Sequence, residues 1–299
     1  MDLYEHDSRV NNCLSTINKE FKEIKSLKLI HSGVNSKLFE LKHFDNQKSI
    51  LKIYPNFYND KRNRLDNERR FLNFLEINNI KNCPRVYYIN KEANFSVFSF
   101  VEGSKINNPK KINIEKIAEF ASSINKFKLN KASELLPYAS EATFKISSLL
   151  ELINKKSIQK KSQIQKIFKG SDFCEWFFKE LILDLENTYQ LVEEKFLGTS
   201  IDIEFDKIIS QSDVGFHNLI LKDGDLFFID FEYAGWDNPM KFISDWILQP
   251  DAYFKSNNPL IFFEPLAKAV IKNINWKSLI KPYLLLYRLR WCMIITNQL

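Results

Sequence analysis

Period-two hydrophobic runs fill the first hundred residues of this chain and then nearly vanish, and that change of pattern constrains the fold more than any other feature. Strand-like runs occur at 27–31, 38–44 and 49–54. The connectors Ser32-Gly33-Val34-Asn35-Ser36 and Asp45-Asn46-Gln47 are rich in turn formers, which predicts an antiparallel meander. A polar, partly helical lead-in covers about 1–25, and Pro55 ends the third strand. A helix is predicted from about 61 to 77, with Leu65, Leu72 and Leu75 on one face. After Cys83-Pro84, two more strands follow at 86–89 and 96–101. Beyond Gly103 the spacing turns helical, over 114–128, 141–155 and 172–196, and again over 240–249, 260–274 and 279–296. The pattern implies an α+β chain in two lobes. Residues 1–102 form a small antiparallel sheet with one helix, and 103–299 a larger, mainly helical lobe.

Composition narrows the function classes. Hydrophobic residues make up 44% of the 299, with 26 phenylalanines, so a sizeable core can be buried. A net charge of +6 slightly favours anionic partners such as nucleotides. No Arg/Lys stripe with interleaved aromatics is present, so nucleic acid is not an expected partner. The densest basic run, Lys155-Lys156, Lys160-Lys161 and Lys166, reads as a solvated face. Cys13, Cys83, Cys174 and Cys292 form no CxxC pair, which argues against a zinc site or a disulfide framework. The amino terminus lacks a signal-peptide pattern, and the longest apolar run, 282–299, is broken by Arg288 and Arg290. A cytosolic protein without a membrane partner is expected.

The chemistry concentrates between Ser210 and Glu232. Asp223-Gly224 between two apolar runs is a strong hairpin signal. With a two-residue loop, Asn218 faces Ile229 and His217 faces Asp230; with a three-residue loop, Asn218 faces Asp230. Either register brings Asn218 and Asp230 to the open end of one hairpin. Asp213 lies five residues before Asn218, on a loop made flexible by Gly215. Hard cations such as Mg²⁺ take carboxylate and amide oxygens and share substrate phosphates. A nearby carboxylate not tied to the metal can accept a proton from an attacking hydroxyl.

The pattern Asp213-x4-Asn218, a short hairpin, then Ile229-Asp230-Phe231-Glu232-Tyr233 resembles the aminoglycoside phosphotransferase and choline kinase group. That group is similar in fold to the protein kinases. The resemblance implies a protein-kinase-like bilobal fold, ATP and Mg²⁺ as cofactors, Asp213 as catalytic base, and Asn218 and Asp230 as metal ligands. Glu232 and Tyr233 match an Asp-Phe-Glu-Tyr variant of the family. Asp245, downstream of Ala234-Gly235-Trp236-Asp237-Asn238-Pro239, takes the place of an Asp that braces the catalytic loop. One departure stands out: Gln211-Ser212 replaces the His-Gly that usually precedes the catalytic Asp. The chain fits better a subset with Ser-Asp-x-Gly-Phe-His-Asn, to whose motif His217 belongs; it reads as a loop-packing residue.

The first lobe then reads as the nucleotide-binding one. Lys52 sits inside the apolar run Ile50-Leu51-Lys52-Ile53-Tyr54, and Glu68 lies on the apolar face of the following helix. A buried ammonium and a buried carboxylate each require a partner. A Lys52–Glu68 pair satisfies both, with Lys52 also touching ATP phosphates. Gly33, Asn35 and Ser36, between the first two strands, are candidates for a phosphate loop. By resemblance, Phe100 and Val101 fall at the hinge that meets adenine. The second lobe is expected to bind the acceptor. Lys281, Arg288, Arg290 and Trp291 in the last helix, with no acidic residue after Glu264, suit a neutral or anionic hydroxyl compound such as a sugar or sugar derivative. The expected activity is ATP-dependent phosphoryl transfer to a small-molecule hydroxyl. The alternatives are a catalytically inactive nucleotide-binding scaffold, motivated by Gln211-Ser212, and a choline- or ethanolamine-type kinase.

Overall fold

A computed structural model describes residues 7–32, 36–55, 62–106, 112–196, 205–250, 259–272 and 276–296. The chain divides into two units, the first comprising 1–107, 129–137 and 217–235, and the second 108–128, 138–216 and 236–299.

The first unit begins with helix α1 (Ser8–Glu20), capped by the Asp7 carboxylate, which accepts from the N–H groups of Arg9 and Val10. Strands β1 (Ile24–Ser32), β2 (Lys37–His43), β3 (Lys48–Ile53), β4 (Val86–Asn90) and β5 (Phe95–Ser99) form an antiparallel sheet in the order β1-β2-β3-β5-β4. Alternate side chains point to one face, where Phe39, Leu41, Leu51, Ile53, Phe95 and Val97 pack against Val10, Cys13 and Ile17 of α1. The lead-in is therefore an amphipathic helix that seals one side of the sheet. Lys52 has the opposite parity to Leu51 and Ile53 and projects from the other face, flanked across the strands by Leu38 and Ser96. Helix α2 (Arg64–Ile77) follows; the Asn63 side chain caps it, and Leu65, Glu68, Phe71, Leu72 and Leu75 are buried.

The same unit includes a three-stranded sheet, β6 (Ser104–Lys105), β8 (Leu219–Lys222) and β9 (Asp225–Phe228). Lys222 pairs with Asp225 across a two-residue loop. Both loop residues have positive φ, 51° at Asp223 and 84° at Gly224, the geometry that matches the twist of hairpin strands. The shorter of the two expected registers is the one that forms. Gly103 lets β6 approach β8 closely: a Cβ there would lie 2.5 Å from Ile220 Cγ2 and 2.6 Å from the Leu221 carbonyl oxygen. The short helix α4 (Lys131–Glu134) leads into Leu135, whose carbonyl oxygen accepts from Arg70 of α2 at 3.0 Å.

The second unit contains α3 (Ile114–Asn125), α5 (Ile146–Ile167), α6 (Asp172–Trp176), α7 (Ile182–Phe196), β7 (Ile208–Ser210), β10 (Gly235–Asp237), α8 (Pro239–Leu248), α9 (Pro259–Phe262), α10 (Glu264–Val270) and α11 (Trp276–Ile295). Three details depart from the sequence pattern. The helix expected at 141–155 starts at Ile146 and runs to Ile167; Glu141, with φ 57°, lies outside it. The helix expected at 172–196 is interrupted by a π-helical segment, Phe177–Leu181. Strands β7 and β10 pair although neither has a strand pattern of its own. The Asn125 side chain holds β7, donating to the Ile209 carbonyl and accepting from the Ile209 N–H at 2.9 Å each.

Candidate active site

In the first unit the charged groups on the inner face of β3 converge on one ammonium. Lys52 Nζ lies 2.7 Å from Glu68 Oε2, 2.7 Å from Asp230 Oδ1 and 3.0 Å from Glu232 Oε2. Glu68 also accepts from the Tyr54 hydroxyl at 2.7 Å and from the Phe231 N–H at 3.1 Å. Glu232 accepts from Arg64 in the first turn of α2, both side chains being nearly fully buried. The Phe231 ring stacks on Phe71, centroids 5.0 Å apart. The tripeptide Asp230-Phe231-Glu232 is thus tied to β3 through Asp230 and to α2 through Phe231 and Glu232. Asp230 itself has φ 65°, an uncommon conformation outside glycine that these ties stabilise.

Burial opposes charge on Lys52, but the carboxylates, Asp230 foremost, outweigh it and hold the ammonium well above its usual pKa. Burial pushes Glu68 up; Lys52 opposes that, while Asp230 and Glu232 add to it. Two cations, Lys52 and Arg64, face three carboxylates, which leaves the cluster one charge negative.

The side chains of Glu68, Asp230 and Glu232 approach one another closely enough to hold a metal ion. The Lys52 ammonium already bridges these three carboxylates, so they fit a lysine rather than a second cation. Asp230 differs from the other two: its side chain is 28% exposed, against 4% for Glu68 and 2% for Glu232. The Ile229 N–H donates to the Asn218 carbonyl at 3.0 Å, which sets Asn218 beside the strand end that carries Asp230. A partly exposed carboxylate, with an asparagine on the adjoining strand end, is the donor chemistry that suits Mg²⁺, which takes few protein ligands and shares phosphate oxygens.

In the second unit, Asp213 follows β7 in the turn Gln211-Ser212-Asp213, where the Asp213 N–H donates to the Gln211 carbonyl at 2.7 Å. Ser212 has φ 62°. Ser210 Oγ accepts from the Ser212 N–H at 3.0 Å and donates to Asp237 Oδ2 at 2.7 Å. Lys241, fully buried on α8, donates to Ser212 Oγ and Asp237 Oδ2 at 2.9 Å each and lies 3.4 Å from Asp245 Oδ2. Asp245 Oδ1 in turn accepts from Arg290 at 2.7 Å and from the Trp291 ring N–H at 2.9 Å. Arg290 reaches on to Glu141, which Lys156 also contacts. Six groups of alternating charge therefore run from Lys156 to Asp237 beside the turn that carries Asp213.

The structure brings Lys52, Glu68, Asp230 and Glu232 together in the first unit, with Asn218 on the same hairpin. Asp213 and Asp245 belong to the second, where Asp245 reaches the Asp213 turn through Lys241. His217 is exposed and stands just before the hairpin. Phe100 and Val101 follow the end of β5 and are half-buried, with Lys48 Nζ 4.8 Å from the Phe100 ring centre. Ser36 immediately precedes β2, while Gly33 and Asn35 lie outside the described residues. Arg290 and Trp291, expected to face an acceptor, are spent on Asp245. Sequence reasoning missed Arg64 and Lys241. Lys241 carries a signal, since Asp237, Lys241 and Asp245 recur at four-residue spacing.

No protein-family model matches the sequence, and no curated protein matches it. The solved structures that resemble it define the class of fold: a protein-kinase-like α+β fold shared by small-molecule phosphotransferases. One is a spectinomycin phosphotransferase in complex with ADP and spectinomycin, 12% identical, with a TM-score of 0.65 over 95% of this chain and 86% of that one. Another is an aminoglycoside phosphotransferase in a ternary complex with streptomycin and ATP, 18% identical, with a TM-score of 0.59 over 96% and 89%. A third is a choline kinase from Cryptosporidium parvum, 16% identical, with a TM-score of 0.59 over 95% and 88%.

Proposed function

We propose that this chain is an ATP-dependent phosphotransferase that moves the γ-phosphoryl group of ATP to a hydroxyl of a small molecule, a sugar or sugar derivative. The observation that carries the reading is Lys52, a fully buried ammonium held at 2.7 Å from both Glu68 and Asp230. A buried lysine so paired, with one partner partly open to solvent, is equipped to take phosphate oxygens in place of Asp230. The proposed roles are as follows. Glu68 and Glu232 keep Lys52 charged and oriented, so that its ammonium neutralises the α- and β-phosphates. Ser36, with Gly33 and Asn35, contributes backbone N–H groups to the phosphates, and the backbone at Phe100 and Val101 meets the adenine. Asn218 and Asp230 are the oxygen donors for Mg²⁺, which when bound offsets charge on the β- and γ-phosphates. Asp213 orients the acceptor hydroxyl and takes its proton as the oxygen–phosphorus bond forms, and ADP departs without a covalent phosphoenzyme.

Incubation of the full chain with Mg-ATP and a panel of sugars, sugar derivatives and amino alcohols tests the reading. Transfer to at least one acceptor is expected. Asp213→Asn is expected to lower kcat by about 10³-fold or more with Mg-ATP affinity within a few-fold of the parent. Failure of the parent chain to bind Mg-ATP overturns the proposal.

A further inference from the structure

We propose that Lys241, acting through Ser212, is a positioning residue for the turn that presents Asp213. The inference rests on the phosphotransferase reading for its catalytic consequence and on the second unit alone for its geometry. The Asp213 N–H bonds to the Gln211 carbonyl across Ser212, whose φ is 62°. A three-residue turn with positive φ at its centre is a rare and strained form, and a serine there carries a Cβ that glycine would not. Something must hold it. A closed ring of polar contacts does: the Ser212 N–H donates to Ser210 Oγ, Ser210 Oγ donates to Asp237 Oδ2, Lys241 Nζ donates to Asp237 Oδ2, and Lys241 Nζ donates to Ser212 Oγ. The Ser212 hydroxyl closes the remaining valence toward the Ser140 carbonyl at 3.4 Å. Both ends of Ser212 are therefore fixed, and with them the peptide plane that leads to Asp213.

The chemistry of Lys241 suits the task. Its ammonium donates to Ser212 Oγ and Asp237 Oδ2 and has Asp245 Oδ2 at 3.4 Å, in a site with no solvent access. Its neighbour in the turn, Gln211, is also buried, yet its Oε1 accepts no hydrogen bond among the described residues. The residue before Ser212 thus does not brace the loop through its side-chain oxygen, while Ser212 and Lys241 do. This accounts for a serine at a position whose backbone calls for glycine: the hydroxyl gives the buried cation a handle on the strained residue.

The test compares Ser212→Ala with Ser212→Gly in the full chain. Alanine keeps the Cβ and removes the handle, whereas glycine takes positive φ without one. Hydrogen exchange over residues 208–216 needs no substrate and reads the loop directly. Hydrolysis of Mg-ATP, with water as acceptor, reads the catalytic consequence. Ser212→Ala is expected to raise exchange about tenfold and lower kcat about tenfold, with KM for ATP within twofold; Ser212→Gly stays within threefold of the parent in both. Lys241→Met is expected to lower kcat at least tenfold in the parent and no more than threefold in the Ser212→Gly background, a comparison in which general damage to the fold cancels. Exchange in Ser212→Ala equal to that of the parent overturns the inference, as does a Ser212→Gly chain as loose as Ser212→Ala. If the parent fails to bind Mg-ATP while the exchange pattern holds, the loop brace stands and the phosphotransferase reading falls.

Discussion

The Arg64–Glu232–Lys52 cluster allows a stability effect to be worked out from distances. Glu232 lies 3.0 Å from Lys52 and accepts from Arg64, and the three side chains are 2–3% exposed. At an effective dielectric constant of about 20, a pair at that separation attracts by roughly 5–6 kcal/mol before desolvation is subtracted. Removing one partner leaves the other charge buried, a loss of about 3–5 kcal/mol. Glu232→Gln still offers Arg64 an amide oxygen, so about 3 kcal/mol is expected, or roughly 6–12 °C in Tm for a chain of this size. Arg64→Met is expected to cost a similar amount, because three carboxylates would then share one ammonium. The double variant should lose about 2 kcal/mol less than the sum, since the second change removes a charge the first had stranded. All five tryptophans, at 176, 236, 246, 276 and 291, lie in the second unit, so their fluorescence follows the wrong part of the chain. Hydrogen exchange of β3 and α2 under increasing urea reports the first unit directly. Single losses below about 1 kcal/mol, or additivity within about 0.5 kcal/mol, would refute the claim that these groups form one coupled buried cluster.

Two further outcomes follow from the geometry. Burial alone would raise Glu141, yet Arg290 and Lys156 overcome it and hold the carboxyl at about 2, against an ordinary value of 4.5. A folded pKa below the unfolded one means stability that is present above pH 4.5 and lost as the pH falls toward 2, at most about 3 kcal/mol. Urea unfolding followed by tryptophan fluorescence at pH 5 and pH 2.5 should show a smaller pH dependence in Glu141→Gln than in the parent; equal dependence in both chains contradicts the assignment. Gly103→Ala should destabilise the first unit by about 1–3 kcal/mol, because the added Cβ meets the β8 backbone at Leu221 and not merely a movable side chain. Circular dichroism melting checks this, and an unchanged melting temperature would show that β6 is not held against the hairpin.

What was legible in the sequence was local. The meander, the Asp223-Gly224 hairpin and the Lys52–Glu68 pair are each written within a few to sixteen residues, where period-two alternation, turn formers and charges on apolar faces leave direct marks. The partly helical lead-in gives no sign that α1 seals the sheet, because its buried side consists of three residues, Val10, Cys13 and Ile17, among mostly polar ones. The π segment breaks no composition rule and has no local signature. The missing parts of the candidate site were long-range: Arg64 meets Glu232 across 168 positions, and Lys52 meets Asp230 across 178. No periodicity encodes such a contact.

The missed residues nevertheless share a property that sequence does carry. Arg64 and Lys241, like Arg290, are cations set within apolar helical runs: Phe71 and Leu72 follow Arg64 at seven and eight residues, Phe242 and Ile243 directly follow Lys241, and Leu286 and Met293 flank Arg290 at four and three residues. A cation in that setting is driven inward by its neighbours and cannot stay there alone. It must find a carboxylate, and among the described residues the buried carboxylates are few: Glu68, Glu232, Asp237 and Asp245. Matching the one short set to the other confines the pairings to a handful. In this chain the matching leads to the Lys52 cluster and the turn that carries Asp213, because charges taken out of water can be kept there by a folded chain only in pairs.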